Sequence, residues 1–209
     1  MTATLRLSRT LSPVTALGPG RRVGLWVQGC TIGCAGCASQ DTWDAGGGDE
    51  VSVPGLAALL AARVDAEGLD GLTVTGGEPL QQAQAVTAVL RLVRAAHPEL
   101  DVLVFTGYAA AAARRRAPEL FAVADAVVAG PYRRDRPSDH PLLASANQTL
   151  ELLTARALTR YAGLRPRIQV GADDDDLWLL GLPEPGDLDR VREALAARGI
   201  HLEGASWES

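Results

Sequence analysis

The sequence predicts an α/β protein built around a mainly parallel sheet, an incomplete and open β/α barrel formed by one domain over residues 1–209. Two observations carry this expectation. Short apolar runs rich in Val, Leu and Ile alternate with longer amphipathic or alanine-rich segments, and near-continuous apolar strands belong to sheets covered on both faces by helices. The chain has 209 residues, whereas a closed eightfold barrel takes about 250.

The apolar runs place strands at 23–28, 71–75, 102–106, 126–129, 150–153, 168–171 and 177–180. Helices fall between them at 54–65, 80–97, 109–121 and 187–198. The last is the best formed, with Leu188, Val191 and Leu195 on one face and Gly199 placed to end it. The polar stretch 131–141, which carries Arg133, Arg134, Asp135, Arg136, Ser138 and Asp139, reads as an exposed excursion. Asp173, Asp174, Asp175 and Asp176 separate two strands and read as a solvated turn in preference to a metal site.

Composition narrows the function. The net charge of -5 and the lack of a concentrated basic surface argue against nucleic-acid binding. No apolar run approaches the roughly 18 to 20 residues of a membrane span, and residues 1–11 lack a basic segment followed by an apolar one. A soluble, cytoplasmic protein is expected. The sequence contains no lysine, so no Schiff-base or general-base lysine is available.

The three cysteines, Cys30, Cys34 and Cys37, lie within eight residues, with none elsewhere. An odd count in one loop is a poor disulfide framework and a good ligand cluster. The loop follows the strand 23–28 directly, and ligands collect at the carboxyl ends of strands in α/β sheets. Gly33 and Gly36 permit the backbone angles that bend three thiols toward one site. Zinc would need a histidine to complete a tetrahedral set, yet His97, His140 and His201 are all distant in sequence. A structural four-iron cluster takes four thiolates. Three leave one iron open, which suits a cluster that binds a substrate or cofactor directly.

The spacing Cys30-x3-Cys34-x2-Cys37 after a first strand resembles the signature of the radical SAM enzymes. Further residues are similar to the activating-protein branch, that of anaerobic ribonucleotide reductase and its relatives. They are Gly18-Pro19-Gly20-Arg21-Arg22, Leu25 to Cys30, Thr42-Trp43-Asp44, the turn Thr75-Gly76-Gly77-Glu78-Pro79-Leu80, Phe105-Thr106-Gly107-Tyr108, Gly130-Pro131-Tyr132 and Ala144 to Gln148. They run in family order over about 17–150, leaving a C-terminal extension at about 165–209.

The resemblance implies a TIM-like partial barrel of the radical SAM type, a 4Fe-4S cluster on Cys30, Cys34 and Cys37, and S-adenosylmethionine (SAM) held by Gly76, Gly77, Glu78, Thr106 and Gly36. It implies reductive cleavage of SAM to a 5'-deoxyadenosyl radical that abstracts hydrogen from a glycine of a partner glycyl radical enzyme, with a flavodoxin or ferredoxin as electron donor. Direct modification of a small molecule or peptide is the alternative, and a non-catalytic iron-sulfur or zinc protein a third. Glu78 adds a carboxylate suited to the cationic end of SAM, or caps a helix start. Trp43 and Asp44 either cover the cluster loop or pack beneath it. Tyr108 either contacts a ligand or packs. Asn147 and Gln148 either face a substrate or satisfy local backbone. Relatives often carry an aspartate just before the glycine-proline pair, where this chain has Ala129.

Overall fold

The computed structural model describes residues 3–165, 168–172, 177–182 and 186–201. The acidic run at 173–176 therefore lies outside the described residues, as does the end of the C-terminal extension.

Four strands form the parallel centre of a seven-stranded sheet: β2 (Arg22–Val27), β4 (Gly71–Gly76), β5 (Asp101–Thr106) and β6 (Ala126–Ala129). Antiparallel strands flank them on both sides. On one side β1 (Thr4–Val14) pairs with β2 and then with β3 (Asp49–Ser52), and on the other β7 (Thr149–Leu152) pairs with β6. The order is β3-β1-β2-β4-β5-β6-β7. The expectation of a mainly parallel sheet thus holds for its centre, whereas the strand expected at 150–153 runs antiparallel. The strands at 168 and 177 leave the main sheet and form a separate hairpin, β8 (Ile168–Ala172) and β9 (Leu177–Gly181).

Helices cover one face. In α1 (Val53–Glu67), Leu56, Leu60 and Val64 recur at helical spacing and are buried. Ser52 caps its first turn through Gly55 N, and Gly68 ends it in the left-handed conformation. In α2 (Ala83–Ala96), Val86, Val89, Leu90 and Val93 form the buried stripe. These stripes pack on Val23, Leu25, Val27, Leu72, Val74, Val102 and Val104, and each fully buried aliphatic side chain contributes about 1.5–3 kcal/mol. The helix expected at 109–121 is two pieces, α3 (Ala110–Arg116) and α4 (Pro118–Phe121). Pro118 disfavours helical angles at Ala117, which sits at φ −140°.

The opposite face is covered by chain from the later half. Leu103, Ala126 and Val128 pack with Leu142, Tyr161 and Ala157 of α5 (Ala155–Arg160). Trp26 and Val14 pack with Leu180 and Trp178 of the hairpin, whose Gln169 also accepts from Thr15 N and donates to Pro13 O. In α6 (Asp187–Ala196), the half-buried side includes Leu188, Val191 and Leu195, the face expected from the sequence.

At the amino ends of the parallel strands, Arg22 and Asp101 form an ion pair of 2.7 Å with both side chains fully buried. Arg22 also donates to Thr73 Oγ1 and to the carbonyls of Pro19, Leu72 and Asp101, and Tyr161 donates to Asp101 Oδ1. This polar knot lies at the end of the sheet away from the cysteine loop. Among the described residues, no helix is long and apolar enough to cross a membrane.

Candidate metal and cofactor site

The cysteine loop begins where β2 ends and is seated by backbone hydrogen bonds from two directions. Gly29 N and Cys30 N donate to the carbonyls of Thr42 and Trp43, while Gly77 N donates to Val27 O and Glu78 N to Gly29 O. The Gly76–Glu78 turn and the cysteine loop are therefore one backbone unit, although about forty residues of chain separate them.

Glycine is required for that contact. A Cβ on Gly77 would fall 2.4 Å from Gly29 O, and one on Gly76 would fall 2.7 Å from Val27 N and O. The close approach these glycines permit is thus to the backbone of β2 and the cysteine loop. Within the loop, Gly33 and Gly36 take left-handed angles of +63° and +74°, which L residues adopt only with strain.

Other elements close around the loop. Ile32 lies over Gly107 at the end of β5, and Gln81 Nε2 donates to Thr31 Oγ1. From the connection after β6, the Arg134 guanidinium rests on Gly36, and the Tyr132 backbone N–H faces the Cys34 sulfur. All three cysteines are free and half-buried. Burial pushes the Cys34 thiol above its ordinary value; the Tyr132 N–H opposes this, and Cys37, Cys30 and Glu78 add to it.

Glu78 is 1% exposed. Its Oε1 accepts from Leu80 N and Thr106 Oγ1 and its Oε2 from Gly107 N. Burial holds its carboxyl above the ordinary glutamate value despite those donors and Arg116. Both Glu78 and Thr106 therefore turn their side chains into the protein, where they tie the end of β4 to the end of β5. Thr106 Oγ1 also accepts from Tyr108 N.

The remaining candidates separate into distinct roles. Trp43 is half-buried and supplies the carbonyl under Cys30, while Asp44 Oδ1 accepts from Gly46 N within its own turn. Tyr108 packs beside the core, with Arg116 stacked on its ring at 4.9 Å. Gln148 is satisfied by Ser145 N and Gly130 O. Asn147 donates to Pro131 O, and its Oδ1 is buried without a partner. The histidines stand apart from the cysteine loop in their contacts: His97 faces Asp65, and His140 accepts from Leu142 N.

Sequence reasoning quoted Gln28 within the run Leu25 to Cys30 without giving it a role, and passed over Gln82. Gln28 is buried and donates to the carbonyls of Asp41 and Asp44, while Gln82 donates to Gln28 O and Arg6 O and accepts from Arg6 N. Together they hold the far side of the cysteine loop to β1. The available signal was a polar side chain closing an otherwise apolar strand.

The 4Fe-4S single cluster domain family matches residues 16–151. An anaerobic ribonucleoside-triphosphate reductase-activating protein from Enterobacteria phage T4 is 33% identical over 135 residues, covering 64% of this chain and 85% of that protein. The chain belongs to the radical SAM activating-protein family. The activating protein of the same name from Vibrio cholerae is 32% identical over 146 residues, covering 66% of this chain and 91% of that protein. The pyruvate formate-lyase 1-activating enzyme of Escherichia coli K12 is 40% identical over 75 residues, 34% of this chain and 30% of that enzyme.

The cofactors of the radical SAM activating family are a 4Fe-4S cluster and SAM, and the donor chemistry present fits them. Three free thiols stand in one loop with no fourth cysteine in the chain, so a four-iron cluster held here keeps one iron without a protein thiolate. Among the described residues, no three His, Cys, Asp or Glu side chains are grouped closely enough to hold a single metal ion. A cluster makes no such demand, because each thiolate takes its own iron.

Proposed function

We propose that this chain is an activating enzyme that removes a hydrogen atom from a glycine Cα of a partner glycyl radical enzyme. The observation that carries the reading is the seating of the three-cysteine loop on the Gly76–Glu78 turn, in a chain whose relatives are named as activating proteins. In this reading Cys30, Cys34 and Cys37 hold the cluster. When bound, the cluster and SAM supply a one-electron cleavage that generates the hydrogen-abstracting species.

The chain's own residues bind, orient and exclude water. Gly76 and Gly77 bind the methionyl end of SAM through the turn that their bare sides seat against β2 and the cysteine loop, and Gly36 gives the cysteine loop its turn. Glu78 and Thr106 act by fixing that backbone, since their polar atoms bond each other. Ile32 over Gly107 and the half-buried Trp43 shield the loop from water. A flavodoxin or ferredoxin serves as electron donor in the cytoplasm, a compartment where free cysteines persist. The sheet belongs to the family's TIM-like partial barrel, and residues 1–209 make one domain with a core at 17–150 and an extension at 165–209.

A second reading, radical modification of a small molecule or peptide, is favoured by one feature. The β8–β9 hairpin lies beyond the family match and packs on Trp26, filling part of the sheet face opposite α1 and α2. One experiment separates these readings. Anaerobic reconstitution should load about four irons per chain, and dithionite with SAM should yield 5'-deoxyadenosine. A glycyl radical signal in a candidate partner supports activation; turnover of a small molecule or peptide without that signal supports the second reading. A preparation that binds zinc, takes up no iron and cleaves no SAM overturns both.

A further inference from the structure

Three buried side-chain atoms lack a hydrogen-bond partner among the described residues: His97 Nε2, Asp101 Oδ2 and Asn147 Oδ1. His97 Nε2 lies 3.9 Å from an Asp65 oxygen, and Asp101 belongs to the ion pair at the amino ends of the strands. Only Asn147 stands at the carboxyl end of the parallel sheet. Thr149 pairs with Ala129, the last residue of β6, so Asn147 lies just beyond the point where β6 stops.

The orientation of its amide is fixed by chemistry. Asn147 Nδ2 donates to Pro131 O over 2.8 Å, and a carbonyl accepts only, so the amide cannot be turned over. Oδ1 is left as an acceptor without a donor, at a cost of the order of a lost hydrogen bond. The bonded peptide also locates it. Pro131 O and Tyr132 N belong to the same peptide group, whose N–H faces Cys34, and Arg134 two residues on rests on Gly36. Asn147 is thus one peptide group from the cysteine loop, while its neighbour Gln148 has both amide atoms paired.

We propose that Asn147 is a further cofactor-binding residue, whose Oδ1 accepts a hydrogen bond from an N–H or O–H of the nucleoside half of SAM. This rests on the SAM reading above. Gly76 and Gly77 close β4, and β6 lies two strands away across the sheet, about 10 Å at ordinary strand spacing. A SAM molecule with its methionyl end at β4 would extend its nucleoside toward Asn147. The adenine amine and the ribose hydroxyls are both neutral donors of the required kind.

The test is anaerobic calorimetry of S-adenosylhomocysteine, an unreactive analogue, binding to the cluster-loaded protein and to its Asn147→Ala and Asn147→Leu variants. The expected result is about a tenfold weaker affinity in both variants, with iron content and cluster absorption unchanged. The substitution should cost nothing with one of two analogues, either one lacking the 6-amino group or one lacking a ribose hydroxyl, and that analogue names the donor. Unchanged affinity in the variants would overturn the proposal, as would weakening that persists with every analogue or that accompanies loss of iron. Wild-type cluster-loaded protein that binds no S-adenosylhomocysteine would instead bring down the SAM reading itself.

Discussion

Thr106 Oγ1 donates to Glu78 Oε1 over 2.7 Å, so the ends of two neighbouring strands, 28 residues apart in sequence, share one buried carboxylate. Removing it leaves three donors, Leu80 N, Thr106 Oγ1 and Gly107 N, with no acceptor. Glu78→Ala should therefore cost about 3 kcal/mol or more in urea unfolding. Thr106→Val, which deletes one donor to the carboxylate and the acceptor of Tyr108 N, should cost less, about 1–2 kcal/mol. Equal losses in the two variants would refute the shared-carboxylate account.

Gly77 and Gly33 make a contrasting pair. Alanine at Gly77 places a Cβ against the carbonyl of Gly29, whereas alanine at Gly33 meets nothing within 4 Å and suffers only from its positive φ. Gly33→Ala should cost about 1–2 kcal/mol of stability and still take up iron. Gly77→Ala should displace the cysteine loop and lower the iron retained after reconstitution, as measured by metal analysis.

Each cysteine is expected to be individually necessary. Replacement of Cys30, Cys34 or Cys37 by alanine should abolish the broad visible absorption of the reconstituted cluster while leaving the far-ultraviolet circular dichroism intact. The loop's backbone is seated by bonds between backbone atoms at Gly29, Cys30, Gly77 and Glu78, which outlast the loss of the weaker N–H contacts to sulfur from Ser39 to Cys37 and from Tyr132 to Cys34.

The Arg22–Asp101 pair should respond asymmetrically. Deleting one partner strands a charge in a fully buried site, so Arg22→Met or Asp101→Leu alone should cost about 3–5 kcal/mol. The double variant should recover part of that loss in a double-mutant cycle. Strict additivity of the two single losses would count against a coupled pair.

Tyr161 supplies a pH test in the same knot. Burial, with Asp101 and Asp125 nearby, raises its phenol well above the ordinary tyrosine value, and Arg22 only partly opposes this. A raised folded value means stability that is fully present below the unfolded pKa of about 10 and is lost as pH rises through the folded one. The stability advantage of wild type over Tyr161→Phe should hold constant at neutral pH and shrink above about pH 10. An advantage that grows with alkalinity would contradict the assignment.

By itself the sequence determined the central strands, the two long helices on one face and the cysteine loop. Each is written in local pattern: apolar runs, helical spacing and three thiols within eight residues. The half-exposed β1 and the polar β3 escaped notice because their pairing, not their own composition, makes them strands. Only the tertiary structure decided what Glu78 and Thr106 do. A motif shows that a carboxylate follows two glycines, but whether it meets solvent, ligand or protein depends on which strand end stands beside it. Here β5 stands beside β4, and three protein donors take the carboxylate. The same holds for Asn147 and Gln148, adjacent amides in sequence, of which packing satisfied one completely and left the other with an open acceptor.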